Sequence, residues 1–370
     1  MKTILPFLLA GLCTAMLHAE PREWTEQATG RKINAEFVTV DGDQVTLRVN
    51  GREVKLPVAR LSEADQSYLK MVAVSPAPQA DPVAPAKEAK STAASSKVVG
   101  PIEIEGSHYF YYVPASVKPG KKVPLIFYTG SGGGSAGTVK KMIEGAEICG
   151  WIAACSVESK NSSDETMNPV HSERCVKHLI ETQAVDPKRL YYTGNSGGAR
   201  IAFINGKNLG SAGVLAFIAG AGEGELSKTN NYFIVSGATD YNRYETAATY
   251  DKVRKTSAYR MNPEGHSVGP AWLMTEGIVW LQASWNAKAG LMTPERSDFE
   301  AASLDWIEKM KQKEPYRAAW WARFFNVQGV SPVHKATFAG LDAELSRDPV
   351  NLAYIKGIAD IEEFASSAMG

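Results

Sequence analysis

The 370-residue chain carries forty Lys and Arg against forty Asp and Glu. That balance excludes the basic excess of a nucleic-acid binder and the acidic excess of a disordered tail. With 44% apolar and 22% charged residues the composition is that of a globular protein, and the length implies two or three domains.

Residues 1–19 read as a secretory signal peptide. Lys2 precedes an apolar run from Ile4 to Leu17, and Leu17-His18-Ala19 ends in a small residue suited to cleavage. The run is too short for a stable membrane span, and no later stretch reads as one. The expected location is therefore exported, periplasmic or extracellular, with an uncleaved anchor as the alternative. Cleavage removes Cys13 and leaves Cys149, Cys155 and Cys175. Three thiols cannot build a disulfide scaffold. One bridge, Cys175 to Cys155 or Cys149, competes with the reading adopted here, three small buried hydrophobes.

Residues 20–73 read as a compact β module. Ile33, Ala35 and Phe37 alternate with polar residues, as do Val45, Leu47 and Val49, and then Val54, Leu56 and Val58. Asp41-Gly42 and Asn50-Gly51 separate these runs and are strong hairpin signals, because both residues accept positive φ. Leu61 to Asp65 reads as a capped helical turn. Arg22, Trp24-Thr25, Gly30, Ala35-Glu36-Phe37, Val45-Thr46-Leu47, Leu56-Pro57, Leu61-Ser62 and Asp65-Gln66 together resemble the first Sla homology domain. The resemblance implies a small all-β barrel of the Src-homology-3 type, with Trp24 in its core. It also implies a peptide or surface ligand as partner.

Residues 74–98 form a Pro/Ala-rich linker that cannot bury enough apolar surface to fold. From 99 to 290 the pattern alternates β and α. The expected strands are Tyr109–Val113, Val123–Tyr128, Trp151–Val157, Leu190–Thr193, Val214–Ile218, Tyr232–Val235 and Ala258–Met261. Helices are expected around Val139–Cys149, Val170–Thr182, Ala199–Asn205, Ala247–Thr256 and Ala271–Asn286. This predicts a doubly wound α/β sheet. Residues 291–370 carry no strand signal and read as a C-terminal appendage of four short helices.

The chemistry concentrates in Leu190-Tyr191-Tyr192-Thr193-Gly194-Asn195-Ser196-Gly197-Gly198-Ala199. An apolar strand enters Gly-x-Ser-x-Gly and a helix follows, the context of a strained nucleophile elbow. Ser196 is the predicted nucleophile, and the Gly197 amide the first oxyanion donor. A serine needs a base. His266 lies in a Gly/Pro loop directly after the last predicted strand, whereas His334 lies in the appendage. The acid is Asp240, after the strand Tyr232–Val235, with Glu223 and Glu225 as competitors. Thr129-Gly130-Ser131-Gly132-Gly133-Gly134 follows the strand Val123–Tyr128 and supplies the second oxyanion donor. The choice between Ser131 and Gly132 stays open.

These motifs, with Pro124-Leu125-Ile126, Asp186-Pro187-Lys188-Arg189, Gly237 and Gly265-His266, resemble the α/β-hydrolase family over about 190 residues. The similarity is greatest to compact secreted esterases of the polyhydroxybutyrate-depolymerase and feruloyl-esterase type. It implies a serine carboxylic-ester hydrolase with a Ser-His-Asp acyl-enzyme mechanism and no cofactor. The implied substrate is a small-molecule, polymer-linked or sugar-linked ester. The chain departs from the family at the oxyanion loop, where Thr129-Gly130 replaces the usual His-Gly pair. The alternatives are a non-catalytic surface protein on a decayed hydrolase scaffold and a serine peptidase on the same fold. His171, Cys175 and His178 share one helix face, but no further metal ligand accompanies them, so no metal site is assigned. Trp320-Trp321 and Phe324-Phe325 are expected to pack onto the α/β domain rather than to form a sugar platform.

Overall fold

The computed structural model describes residues 22–49, 52–63, 65–66, 69, 97–161, 166–290 and 293–367. The expected signal segment, the Asn50-Gly51 turn and nearly all of the 74–98 linker lie outside these residues. The chain divides into two compact units, Met1–Lys87 and Glu88–Gly370.

The first unit holds a four-stranded antiparallel sheet in sequence order: β1 (Arg22–Thr25), β2 (Lys32–Asp41), β3 (Gln44–Val49) and β4 (Arg52–Pro57). Gly42, at φ 58°, makes the β2–β3 turn. Trp24, Ala35, Val45, Leu47 and Leu61 form the core, and the indole of Trp24 donates to the Ala35 carbonyl at 2.9 Å. Asp65 is buried and accepts from the Thr25 amide at 2.8 Å, which ties β1 to the turn after β4. The alternation expected of Val54 and Leu56 is weaker than the sequence suggests: Val54 is 45% exposed. β4 pairs only with β3, so it is an edge with less to cover it.

The second unit is built on an eight-stranded sheet. Its strands are β5 (Val99–Ile104), β6 (Ser107–Tyr112), β7 (Val123–Thr129), β8 (Ile152–Ser156), β9 (Val185–Asn195), β10 (Gly213–Phe217), β11 (Asn231–Gly237) and β12 (Ser257–Asn262). The order is β12-β11-β10-β9-β7-β8-β6-β5. The six strands from β8 to β12 run parallel, while β6 and β5 add in antiparallel fashion at one side. β5 is absent from the sequence reading because Gly100-Pro101 interrupts its apolar pattern. Proline is tolerated there because the strand is an edge.

Alternate residues of the parallel strands feed two apolar layers. Ile126, Ala153, Tyr191, Leu215 and Phe233 face one layer. Leu125, Ala154, Tyr192, Val214 and Ile234 face the other. The second layer is closed by α3 (Met167–Thr182), α4 (Gly197–Asn208) and α5 (Arg243–Val253) through Leu179, Phe203 and Tyr250. The first is closed by α1 (Ala136–Lys140), α2 (Ile143–Cys149) and α6 (Trp272–Ala289). The single helix expected over 139–149 is thus two, the first opened by a Ser135–Thr138 capping box.

The C-terminal residues form α7 (Pro294–Lys311), α8 (Pro315–Gln328), α9 (Pro332–Leu345) and α10 (Pro349–Ser367). Each starts on a proline, whose missing N–H and fixed φ suit the first helical position. These helices share the sheet's own core. Phe299, Trp306, Ile307, Trp321 and Phe325 belong to the same apolar layer as Leu215, Phe233 and Ile278. Arg260 of β12 meets Glu362 of α10 at 2.9 Å, and Arg317 of α8 meets Glu276 of α6 at 2.9 Å. Among the described residues no helix is long and apolar enough to cross a membrane.

Candidate active site

The chain passes from β7 to β8 on one side and then returns to β9 on the other, so β7 and β9 are neighbours at the switch in winding direction. Loops at the carboxyl ends of strands open a crevice at such a point. The two glycine-rich segments singled out in the sequence follow β7 and β9.

Ser196 follows β9 at φ 52° and ψ −124°, a backbone state that a side chain disfavours and that surrounding structure must impose. The Ser196 amide donates to the Phe217 carbonyl at 2.9 Å, and the Ser196 carbonyl accepts from Ala199 at 3.0 Å as α4 begins. The flanking glycines answer to close approach. A Cβ on Gly194 would lie 2.3 Å from the Thr129 carbonyl oxygen, and one on Gly198 only 2.1 Å from it. The elbow and the loop after β7 therefore touch backbone to backbone. Thr129 Oγ1 donates to the Gly198 carbonyl at 2.7 Å across the same seam.

His266 and Asp240 reach this elbow from two further strand ends. Ser196 Oγ donates to His266 Nε2 at 2.8 Å. His266 Nδ1 donates to Asp240 Oδ1 at 2.9 Å. Asp240 is buried, and its Oδ1 also accepts from the Asn242 amide at 2.9 Å. Oδ2 is buried with no hydrogen-bond partner among the described residues. The two loops are in contact, since a Cβ on Gly237 would fall 2.0 Å from the Gly265 carbonyl oxygen. Tyr241, next to the acid, stacks on the imidazole with ring centroids 4.3 Å apart and planes 19° from parallel.

Several positioning groups carry no motif of their own. Asn262, buried at the end of β12, clamps the histidine loop: its Nδ2 donates to the Ser267 carbonyl at 2.8 Å, and its Oδ1 accepts from the Glu264 amide at 2.6 Å. Asn195 accepts from the Tyr128 hydroxyl and donates to Ser131 Oγ at 3.0 Å. Burial pushes the Tyr128 phenol up to about 12. The Asn161 amide donates to the Ser131 carbonyl at 2.9 Å, and its carboxamide lies against Gly197. The only sequence signals for these groups were an asparagine inside Gly-x-Ser-x-Gly and an Asn-Pro pair ending β12.

Gly197 opens α4, whose first amides have no intrahelical acceptor. Gly132 pairs with Lys160 in an isolated antiparallel bridge, which anchors the loop that carries Ser131 and Gly132. The competing residues take no part in the chain of hydrogen bonds from Ser196 to Asp240. Glu225 accepts from the Gly222 amide at 2.6 Å, and Glu223 is exposed. His334 Nε2 lies 3.2 Å from Ser297 Oγ, and His108 Nδ1 lies 2.7 Å from Glu158. His171 and His178 turn to β6, meeting Ser107 Oγ and the Tyr109 hydroxyl at 2.8 Å each. Cys149, Cys155 and Cys175 are all free thiols. Trp321 is buried and packs edge-on against Trp306 at 5.1 Å.

Residues 18–75 match the family model described as SLA1 homology domain 1, SHD1. No curated protein matches the chain. Among solved structures, an esterase E25 is similar at a TM-score of 0.38 and 14% identity, over 50% of this chain and 76% of that one. An arylesterase is similar at 0.41 and 11% identity, over 53% and 87%. Thermogutta terrifontis esterase 2 phosphorylated by paraoxon is similar at 0.40 and 14% identity, over 54% and 95%.

Proposed function

We propose that the second unit is a serine hydrolase that cleaves carboxylic esters through an acyl-enzyme, and that the protein works after export. One observation carries the first part. Ser196, on a strained turn at a helix N-terminus, is joined through His266 to a buried Asp240 by hydrogen bonds of 2.8 and 2.9 Å.

The chemistry follows from that chain. His266 Nε2 takes the hydroxyl proton as Ser196 Oγ attacks the acyl carbon. Negative charge develops on the former carbonyl oxygen, beside the Gly197 amide and the loop carrying Ser131 and Gly132. Preorganised amides there are worth about 10²–10³ in rate each. Asp240 holds the imidazole in the tautomer that leaves Nε2 free to accept, and stabilises the imidazolium that forms. The acyl–oxygen bond then breaks, and Nε2 returns the proton to the leaving alcohol. Water repeats the sequence in reverse: it attacks the acyl carbon, His266 takes its proton, and Ser196 departs as a free hydroxyl.

A fluorophosphonate probe should label Ser196. Ser196→Ala should abolish both labelling and hydrolysis of short acyl esters. Equal labelling of the two proteins would overturn the reading, and turnover of peptides but not esters would move it to a peptidase. Export rests on the Lys2-to-Ala19 pattern. Fractionation with N-terminal sequencing should find a chain starting at Glu20 outside the cytoplasm. A full-length cytoplasmic protein would refute it.

A further inference from the structure

Two aromatic side chains stand exposed close behind the buried acid. Tyr241 is 70% exposed and Tyr244 59%. The turn that presents Tyr241 is fixed rather than loose. The Asp240 amide donates to the Gly237 carbonyl at 3.2 Å. Asn242 Nδ2 donates to the Ile218 carbonyl at 2.8 Å, and an Arg243 guanidinium nitrogen donates to the Asp240 carbonyl at 3.0 Å. One face of the Tyr241 ring is spent on His266, at 4.3 Å and 19°. The ring is otherwise largely exposed, its rim included.

We propose that Tyr241 is the specificity wall on the alcohol side of the substrate, and that the site prefers esters whose alcohol carries a flat ring. The proposal rests on the acyl-transfer reading of Ser196, His266 and Asp240. In that reaction Nε2 must reach the leaving oxygen, so the alcohol leaves along the rim of the imidazole. The rim of the ring stacked on that imidazole borders this path, so a flat ring on the alcohol can take the edge of Tyr241 against its face. A π face offers another ring offset or edge-on contact beyond simple area burial, whereas a saturated group gains only area. The stack serves a second purpose, because the ring that meets the alcohol also holds the base that protonates it.

The test compares kcat/KM for benzyl acetate and cyclohexylmethyl acetate, which share an acyl group and differ in the π face. The unaltered protein should favour the benzyl ester, and equal rates would overturn the proposal without any variant. Tyr241→Leu should lower the benzyl-to-cyclohexylmethyl ratio roughly 3–10-fold, mostly through KM. Tyr241→Phe should keep the ratio within about twofold of the unaltered protein. An unchanged ratio in Tyr241→Leu refutes the wall. Fluorophosphonate labelling separates the two readings. Labelled Ser196 with no ring preference, or with neither ester turned over, refutes the wall alone. An unlabelled Ser196 refutes the acyl-transfer reading and the wall with it.

Discussion

Ser196 occupies a backbone state that costs on the order of 1–3 kcal/mol for a residue with a side chain, and Gly194 and Gly198 let that strain stand. Their neighbour is a carbonyl oxygen, which cannot swing aside as a flexible side chain can. Gly198→Ala, placing a methyl 2.1 Å from the Thr129 oxygen, should push the elbow away from the loop after β7. The expected loss is at least about tenfold in kcat with an unfolding penalty of about 1–3 kcal/mol, read by steady-state kinetics and chemical denaturation. Asp240→Asn should lower kcat by about 10⁴, and a loss under tenfold would assign the orienting role to another residue. Burial holds the thiols of Cys155 and Cys175 up at about 12, so the native protein should leave both unmodified by iodoacetamide at pH 8, and mass spectrometry after digestion reads this directly. Ser196, His266 and Asp240 stood out as candidates because each follows an apolar run, and the structure joins the three side chains by hydrogen bonds. Asn161, Asn195 and Asn262 did not stand out, since an isolated asparagine in a loop looks the same whether it clamps a neighbour or faces water.

The strands of the parallel sheet were legible as elements because burial on both faces leaves continuous apolar runs. The edge strand β5 escaped because its Gly-Pro pair reads as a turn. Helix faces were harder, for charges on them normally signal solvent. Arg317 and Glu276 break that rule: both are buried, 2.9 Å apart, and the guanidinium also lies 3.8 Å over the Trp272 ring. Removing one partner strands the other in a low-dielectric interior. Arg317→Leu should therefore cost about 3–5 kcal/mol, and Arg317→Leu with Glu276→Leu should cost less than the single change. Urea denaturation of the single and double variants reads the difference, and simple additivity would show that the pair contributes no coupling across α6 and α8.

The helices beyond residue 293 look like an appendage in the sequence and act as a wall of the second unit, because Trp306, Ile307 and Trp321 close the layer begun by Leu215 and Phe233. A chain stopped at Gly290 should expose that layer, aggregate on refolding and bind hydrophobic dyes, whereas an independent appendage would leave a soluble, folded remainder. The unit also buries phenols. Tyr109, Tyr112, Tyr250 and Tyr354 are each pushed up to about 12, chiefly by burial. Folding thus favours the neutral phenol. Its stabilising effect is whole below pH about 10 and is lost as pH rises toward about 12. Denaturation midpoints should fall steeply across that window while tyrosinate absorbance rises with unfolding.

Local demands account for what could be read from residues alone. A strained turn needs glycines beside its serine, a doubly buried strand needs an apolar run, and a hairpin needs Asp-Gly. Each demand is met by residues adjacent in the chain. The rest depended on residues far apart along it. His266 meets a serine 70 positions away and an acid 26 positions away. Tyr241 finds the imidazole, Arg317 finds Glu276, and Trp321 finds the sheet only after the strand order brings their loops and layers together. Distance, burial and stacking are properties of that meeting, and no stretch of neighbouring residues encodes them.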